Sequence, residues 1–372
     1  MDLLSDFHRA ARNSADYLRG LKAQGRTVIG YMCTYAPEEI ITAAGLHPTR
    51  IFSGKAEIHL ADAHLQAYCC SLVRGVLEEA LSGRLDYLSG MVFPHTCDSI
   101  QRLSDIWRLN TDFGFFADVI LPVKLNTDSS GEYMKEVLAR FRRDLAAWLG
   151  REITDQALRE TVSKYNRLRS CLREIYQLRA DNPGLVRGRD VWAIIKGAMI
   201  MPRDELLARL PEVIASIKAG HLAWDAGRRK RLLVIGGICD HPDVYDLIEA
   251  AGGVAVWDDL CTGSRYFEGP ISEEGDPITA LAARYYSRPI CPAKHVSLTA
   301  RGANAVGLAR EHGAQGAFFP LLKFCDPHSF DYPYLKDFLG RIGVPSLLYE
   351  IEDQLPSAGQ LATRLETFIE MP

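Results

Sequence analysis

The chain has 372 residues, 47% of them hydrophobic and 24% charged, which is enough apolar material for two or three packed domains. A formal net charge of −4 supplies no general attraction to nucleic acid or to an anionic membrane, so neither partner is expected. No apolar run approaches the roughly 20 residues of a membrane span, and the start Met1-Asp2-Leu3-Leu4 lacks a secretory pattern, so a cytoplasmic protein is expected.

Residues 3–24 carry Leu3, Phe7, Ala10, Ala11, Ala15, Leu18 and Leu21 at helical spacing and predict one amphipathic N-terminal helix. A strand over Val28–Tyr31 runs into Cys33, and Pro37-Glu38-Glu39 suits the first turn of a helix ending near Gly45. A strand over 49–52 and a helix over 63–81, carrying Cys69, Cys70 and Arg74, come next. Strands at Met91 and Val119, with the Cys97 turn between them, complete a first α/β lobe assigned to residues 1–126. Residues 127–230 are dominated by helical periodicity, over 132–148, 154–178 and 203–226, with Thr154 as an N-cap. A second α/β lobe over 231–372 opens on the strand Leu232-Leu233-Val234-Ile235. It continues with Cys239-Asp240, a helix over 244–251, a strand over 254–257, Cys261, a helix over 280–286 and the Cys291-Pro292 turn. A helix over 298–312, the Cys325 turn and a closing helix over 358–368 finish the chain. Strands alternating with helices predict parallel sheets, here two flavodoxin-like α/β lobes with an N-terminal helix and a helical insertion.

Two distant segments share one plan. Met91-Val92-Phe93-Pro94-His95-Thr96-Cys97-Asp98 leads into a helix and then a strand at Val119. Phe318-Phe319-Pro320-Leu321-Leu322-Lys323-Phe324-Cys325-Asp326 leads into a helix and then a strand at Leu347. Each is a βαβ unit with a thiol at the carboxyl end of its first strand, where open α/β sheets place ligands. A thiol at a helix N-terminus also faces the free amides that favour the thiolate, the ligating form.

Nine cysteines are many for a compartment that disfavours disulfides, which gives weight to metal or redox chemistry. Cys171, in helical sequence away from any turn, reads as a small core hydrophobe. No Cys-x-x-Cys run links Cys70, Cys97 and Cys325, so these thiols meet only if the fold brings them together. His95 and His328 flank the two matched turns and are the candidate catalytic proton donors, although a hydrogen-bonded loop histidine is the plainer reading of each. His241 and His295 also neighbour cysteine turns. Arg265, after Asp258-Asp259-Leu260-Cys261-Thr262-Gly263, is a candidate substrate-binding cation for a phosphate or carboxylate. Neither a Gly-x-Gly-x-x-Gly nor a Walker sequence occurs, so no dinucleotide site and no ATP hydrolysis by this chain are expected.

The segments Tyr31-Met32-Cys33-Thr34-Tyr35-Ala36-Pro37-Glu38-Glu39, Cys70-Ser71-Leu72-Val73-Arg74, His95-Thr96-Cys97-Asp98, Asp258-Asp259-Leu260-Cys261-Thr262-Gly263-Ser264-Arg265 and Lys323-Phe324-Cys325-Asp326-Pro327-His328 together resemble the 2-hydroxyacyl-CoA dehydratase / benzoyl-CoA reductase family, in order from about residue 25 onward. The resemblance implies a [4Fe–4S] cluster held between two α/β lobes by Cys70, Cys97 and Cys325, with Cys69 competing for the first position. It further implies a homologous second subunit, in a heterodimer or heterotetramer. A separate ATP-hydrolysing [4Fe–4S] activator and an acyl-CoA or aryl-CoA substrate that accepts single low-potential electrons are also implied. Two branches stay open, dehydration and aromatic-ring reduction. Cys33, Cys261 and Cys291 also stand at family motif positions and suit a third branch, whose members hold a double-cubane cluster and reduce small molecules. A non-catalytic electron-relay subunit is the further alternative.

Overall fold

The structure is a computed structural model and describes residues 3–54, 57–288, 291–297, 299–352 and 358–371. Along the chain, α1 (Ser5–Arg12) and α2 (Ser14–Ala23) precede β1 (Val28–Tyr31), α3 (Glu38–Ala43) and β2 (His47–Arg50). Next come α4 (Ser71–Leu81), β3 (Gly90–Pro94), α5 (Asp98–Asn110) and β4 (Phe115–Val119). Four helices follow: α6 (Asp128–Leu149), α7 (Asp155–Asp181), α8 (Gly188–Ile200) and α9 (Arg203–Lys218). The second half contains β5 (Lys230–Ile235), α10 (Pro242–Ala250), β6 (Gly253–Asp259), α11 (Ser264–Phe267), α12 (Pro277–Ser287) and α13 (Ala300–Glu311). It ends with β7 (Gly316–Leu322), α14 (Asp326–Gly340), β8 (Ser346–Ile351) and α15 (Ala358–Glu370).

Two four-stranded parallel sheets result, ordered β2-β1-β3-β4 and β6-β5-β7-β8. This is the predicted pair of α/β lobes, and the two strand orders are equivalent position for position. In both sheets the third strand of the lobe, β3 or β7, lies between the first strand and the fourth. β1 and β3 are buried along their whole length, as β6 is, so they read as unbroken apolar runs with helices covering both faces. Gly30 and Gly90 have no room for a side chain, since a Cβ on Gly30 would meet Met91 Sδ at 2.7 Å and one on Gly90 would meet Phe115 Cβ at 2.6 Å.

Several predicted elements move. The single N-terminal helix is two, because Asn13 leaves the helical region at φ −121° and ψ 50°. Asn and Ser compete with helix for backbone hydrogen bonds, which suits a break at Asn13-Ser14. The second strand lies two residues earlier than expected, at His47–Arg50. The predicted 63–81 helix is a short 3-10 turn over Ala61–Ala63 followed by α4, so Cys69 and Cys70 precede the helix instead of lying within it. α8 was not foreseen: every residue from Val191 to Ile200 is buried, and a helix buried all round carries no apolar stripe to read. It stops at Met201, where the following Pro202 favours extended backbone and α9 then begins. The 298–312 helix spans Ala300–Glu311, and Leu298 lies outside the described residues. Thr154 does cap α7, its hydroxyl accepting from the Ala157 amide at 3.2 Å. At the end of α6, Gly150 adopts φ 63°, a left-handed turn that glycine takes without strain. Among the described residues no helix is long and apolar enough to cross a membrane.

Candidate metal centre

Three cysteines occupy the same structural position. Cys70 is the N-cap of α4, Cys97 of α5 and Cys325 of α14. Two of these helices leave equivalent strands, β3 and β7, so Cys97 and Cys325 come from opposite sheets. All three residues line one cavity of about 440 Å³, together with Asp98, Lys294, His295, Arg301 and Asp326. Phe324, Phe330 and Tyr334 form an aromatic wall of that cavity and are exposed at its mouth. Phe324, immediately before Cys325, is the one non-glycine among the described residues with positive φ, at 63°. A bulky side chain rarely adopts that conformation, which marks the turn presenting Cys325 as locally strained.

The remaining family-position thiols lie beside this group. Cys33 follows β1, Cys261 follows β6, and Cys291 sits in the loop before α13; all three are buried. Cys97 lies within electrostatic reach of Cys70, Cys33 and Cys291, and Cys325 within reach of Cys70, Cys97 and Cys261. The fold therefore gathers six thiols from across the sequence around one interior region. Cys69 does not line the cavity; its thiol points to Gln66 Oε1 at 3.9 Å. Cys239 is fully buried with Asp240 and Asp258 as its charged neighbours, and Cys171 lies on α7 beside Glu174 and Arg167. Both are packing residues.

Burial decides the state of the bare thiols. It pushes Cys97 up to about 12, against the Ile100 amide at the start of α5. Burial and then the neighbouring Cys70 raise Cys325 well above the ordinary thiol range, against the His328 amide. The helix N-termini thus favour the thiolate, as the sequence implied, but desolvation outweighs them. Without a bound cation the Cys97 and Cys325 thiols are protonated, and metal loading must release their protons. Among the described residues no three His, Cys, Asp or Glu side chains crowd closely enough to hold a single metal ion. The donor set is spread around the cavity instead of converging on one point.

The other predicted site residues take definite places. His95 does not line the cavity; its Nε2 donates to Asp118 Oδ1 at 2.9 Å, and the Ser104 hydroxyl donates to the same oxygen. His328 is buried, and burial followed by the Arg265 and Arg301 charges drives its titration well below the usual histidine range, leaving a neutral imidazole. Arg265 is buried as well, donating from Nε to Asp259 Oδ1 at 2.5 Å and from a terminal nitrogen to Cys261 Sγ at 3.4 Å. Its fork is committed to a carboxylate and a thiol and is absent from the cavity lining. Gly263, read as leaving room for a ligand, leaves room for the Asp258 carboxylate, which accepts from the Ser264 amide at 2.7 Å. Glu38 and Glu39 do more than favour a helix start: both are buried and ion-paired, with Arg203 and Arg169 respectively. Sequence reasoning missed Arg288, Lys294 and Arg301 as site residues. Arg288 and Lys294, three residues before and three residues after Cys291, carried a local signal, whereas Arg301 carried none.

The family described as 2-hydroxyglutaryl-CoA dehydratase, D-component, matches residues 33–371. The chain belongs to this family. One of the benzoyl-CoA reductase subunits of Thauera aromatica is 30% identical over 90% of this chain and 87% of that protein. The (R)-phenyllactyl-CoA dehydratase beta subunit of Clostridium sporogenes is 28% identical over 98% of this chain and 97% of its own length. The lactoyl-CoA dehydratase beta subunit of Anaerotignum propionicum is also 28% identical, over 99% and 98% of the two chains. As a D-component family member, the chain is a subunit type of enzymes acting on CoA thioesters, lyases or oxidoreductases. The match takes in every strand after β1 and all six of the gathered thiols.

Proposed function

We propose that this chain is the iron–sulfur subunit of an activator-dependent enzyme that passes single low-potential electrons to a CoA thioester, with Cys70, Cys97 and Cys325 holding a [4Fe–4S] cluster. The observation that carries this reading is the convergence of three helix-capping thiols, from both sheets, on one cavity. A bound cluster supplies the one-electron chemistry that no side chain in the cavity offers. The protein's part is to hold and shield. Three helix N-termini direct their amides and positive dipole ends at the thiol site, which suits an anionic group. Phe324, Phe330 and Tyr334 offer an apolar approach for an acyl or aryl group. His95, oriented by Asp118, is the side chain assigned to moving protons, while burial and the Arg265 and Arg301 charges keep His328 unprotonated.

The same reading assigns one lobe to residues 1–126, the helical region to 127–230 and the second lobe to 231–372. It includes a homologous second subunit and a separate ATP-hydrolysing activator, in keeping with relatives that are themselves named as subunits. The proximity of Cys33, Cys261 and Cys291 favours a second reading, in which six thiols hold two linked cubes. Iron and acid-labile sulfide analysis of anaerobically purified protein tests both. About four irons per chain fit one cube and about eight fit two, while folded protein free of iron and sulfide contradicts both readings. Adding a CoA thioester to the iron-loaded protein and its partner subunit then separates an electron relay, whose spectrum stays unchanged, from a subunit that meets substrate.

A further inference from the structure

Arg265, Arg288, Lys294 and Arg301 are buried cations beside the thiols, and the buried Arg50 donates to the Cys261 carbonyl at 3.4 Å. Two carboxylates answer two of them. Asp259 pairs with both Arg265 and Arg301, each at 2.5 Å, and Asp331 pairs with Arg301 at 2.8 Å. Arg288 and Lys294 take part in no ion pair among the described residues. Arg288 donates to the Thr34 carbonyl at 2.9 Å and to the Thr34 hydroxyl at 3.1 Å, and its guanidinium lies 3.7 Å from the centroid of the Tyr35 ring. Lys294 is 1% exposed, and its ammonium donates to the Leu121 carbonyl at 3.2 Å.

Carbonyl bonds and an aromatic face do not neutralise a buried charge, and an unpaired interior cation is unfavourable unless an anion answers it. Once metal loading has removed their protons, the thiols are the negative groups that face these two cations. Arg288 interacts with Tyr35 and Tyr285 and then with Cys33; burial lowers Lys294, with Cys291 and Cys33 opposing it, and Lys294 also lines the cavity shared by Cys70, Cys97 and Cys325. Arg265, whose terminal nitrogen is 3.4 Å from Cys261 Sγ, continues the same surface on the second lobe.

We propose that Arg288 and Lys294, continued by Arg265, form a cationic floor beneath the thiol cavity that holds the negative charge of a bound iron–sulfur cluster and raises its reduction potential. The proposal rests on the cluster reading above. Net charge and hydrogen bonding around a cluster are among the quantities that set its potential, and a nearby cation stabilises the more negative, reduced state. Arg288 and Lys294 act here as positioning and tuning residues, since neither is assigned as a ligand.

The test uses the full chain, reconstituted anaerobically with ferrous iron and sulfide, and potentiometric titration followed by electron paramagnetic resonance. Arg288→Gln and Lys294→Gln are each expected to lower the midpoint potential by about 59 mV or more, a tenfold change in the reduced-to-oxidised ratio for one electron. Arg288→Lys and Lys294→Arg, which keep the charge, are expected to stay near the unmodified value. Glutamine variants with full iron and an unchanged midpoint overturn the proposal. Should the glutamine variants lose iron, retention by the charge-keeping pair supports a role for charge. Loss in those variants too assigns the residues to shape and overturns it. If the unmodified chain takes up no iron, the cluster reading fails, and the floor fails with it.

Discussion

At the scale of single residues, the cysteines divide by what surrounds them and not by how they look in sequence. Cys97 and Cys325 cap matched helices on one cavity, so Cys97→Ala and Cys325→Ala are each expected to abolish bound iron and turnover together, measured by metal analysis and a coupled assay. Cys171→Ala, on α7, is expected to leave iron content unchanged and to shift stability by no more than about 0.5 kcal/mol. His47 gives a pH signature away from the thiols. It is buried, donates from Nε2 to the Ile200 carbonyl at 2.7 Å, and burial followed by the Arg203 charge pushes it down to about 3. Between the ordinary histidine value near 6.5 and that depressed value, the unfolded chain binds a proton that the folded chain refuses. Stability therefore falls with falling pH across this window, by up to about 1.4 kcal/mol per pH unit from this group. In urea unfolding between pH 7 and 4, His47→Gln is expected to lose that part of the acid sensitivity. An unchanged pH slope would count against the assignment. The thiols at strand ends were legible because a cysteine beside Pro, Gly or Asp after an apolar run has a structural address. That Arg288 stacks on Tyr35 beside them was not, since these two residues are joined only by the tertiary fold.

At the scale of elements, the helical region is fastened to the first lobe by buried charge. Glu39 on α3 pairs with Arg169 on α7, and Glu38 with Arg203 on α9. Burial alone would raise the Glu39 carboxyl, but Arg169 and then Arg284 more than offset it and keep it ionised. Glu39→Ala strands two buried guanidinium groups and is expected to cost about 3–5 kcal/mol in urea unfolding. Thr154→Ala removes only a cap, at a cost of about 1 kcal/mol. Comparable losses from the two variants would show that the ion pair is not buried as described. The sequence carried enough periodicity for α6, α7 and α9, because each has one wet face. It carried none for α8, whose residues from Val191 to Ile200 are all buried, and it blurred the chain before α4. There Cys69 and Cys70 have helical neighbours, yet Cys70 sits at φ −61° and ψ 150°, extended, in the cap.

At the scale of the whole molecule, the two sheets repeat one strand order, and the repeat sets the chemistry. Strands β3 and β7 hold the same place in their sheets, so the turns after them put Cys97 and Cys325 at corresponding points, and the fold turns those points toward one cavity. The duplication was readable as two βαβ units sharing a thiol. That the thiols meet was not, because no local spacing encodes how two sheets face each other. Anomalous diffraction at the iron absorption edge, from crystals grown without oxygen, tests that meeting most directly. The expected result is an iron peak inside the cavity, bounded by Cys70 and Cys97 on one side and Cys325 on the other. Iron bound elsewhere, or a cavity of reduced thiols with no iron in protein that is still active, would contradict it.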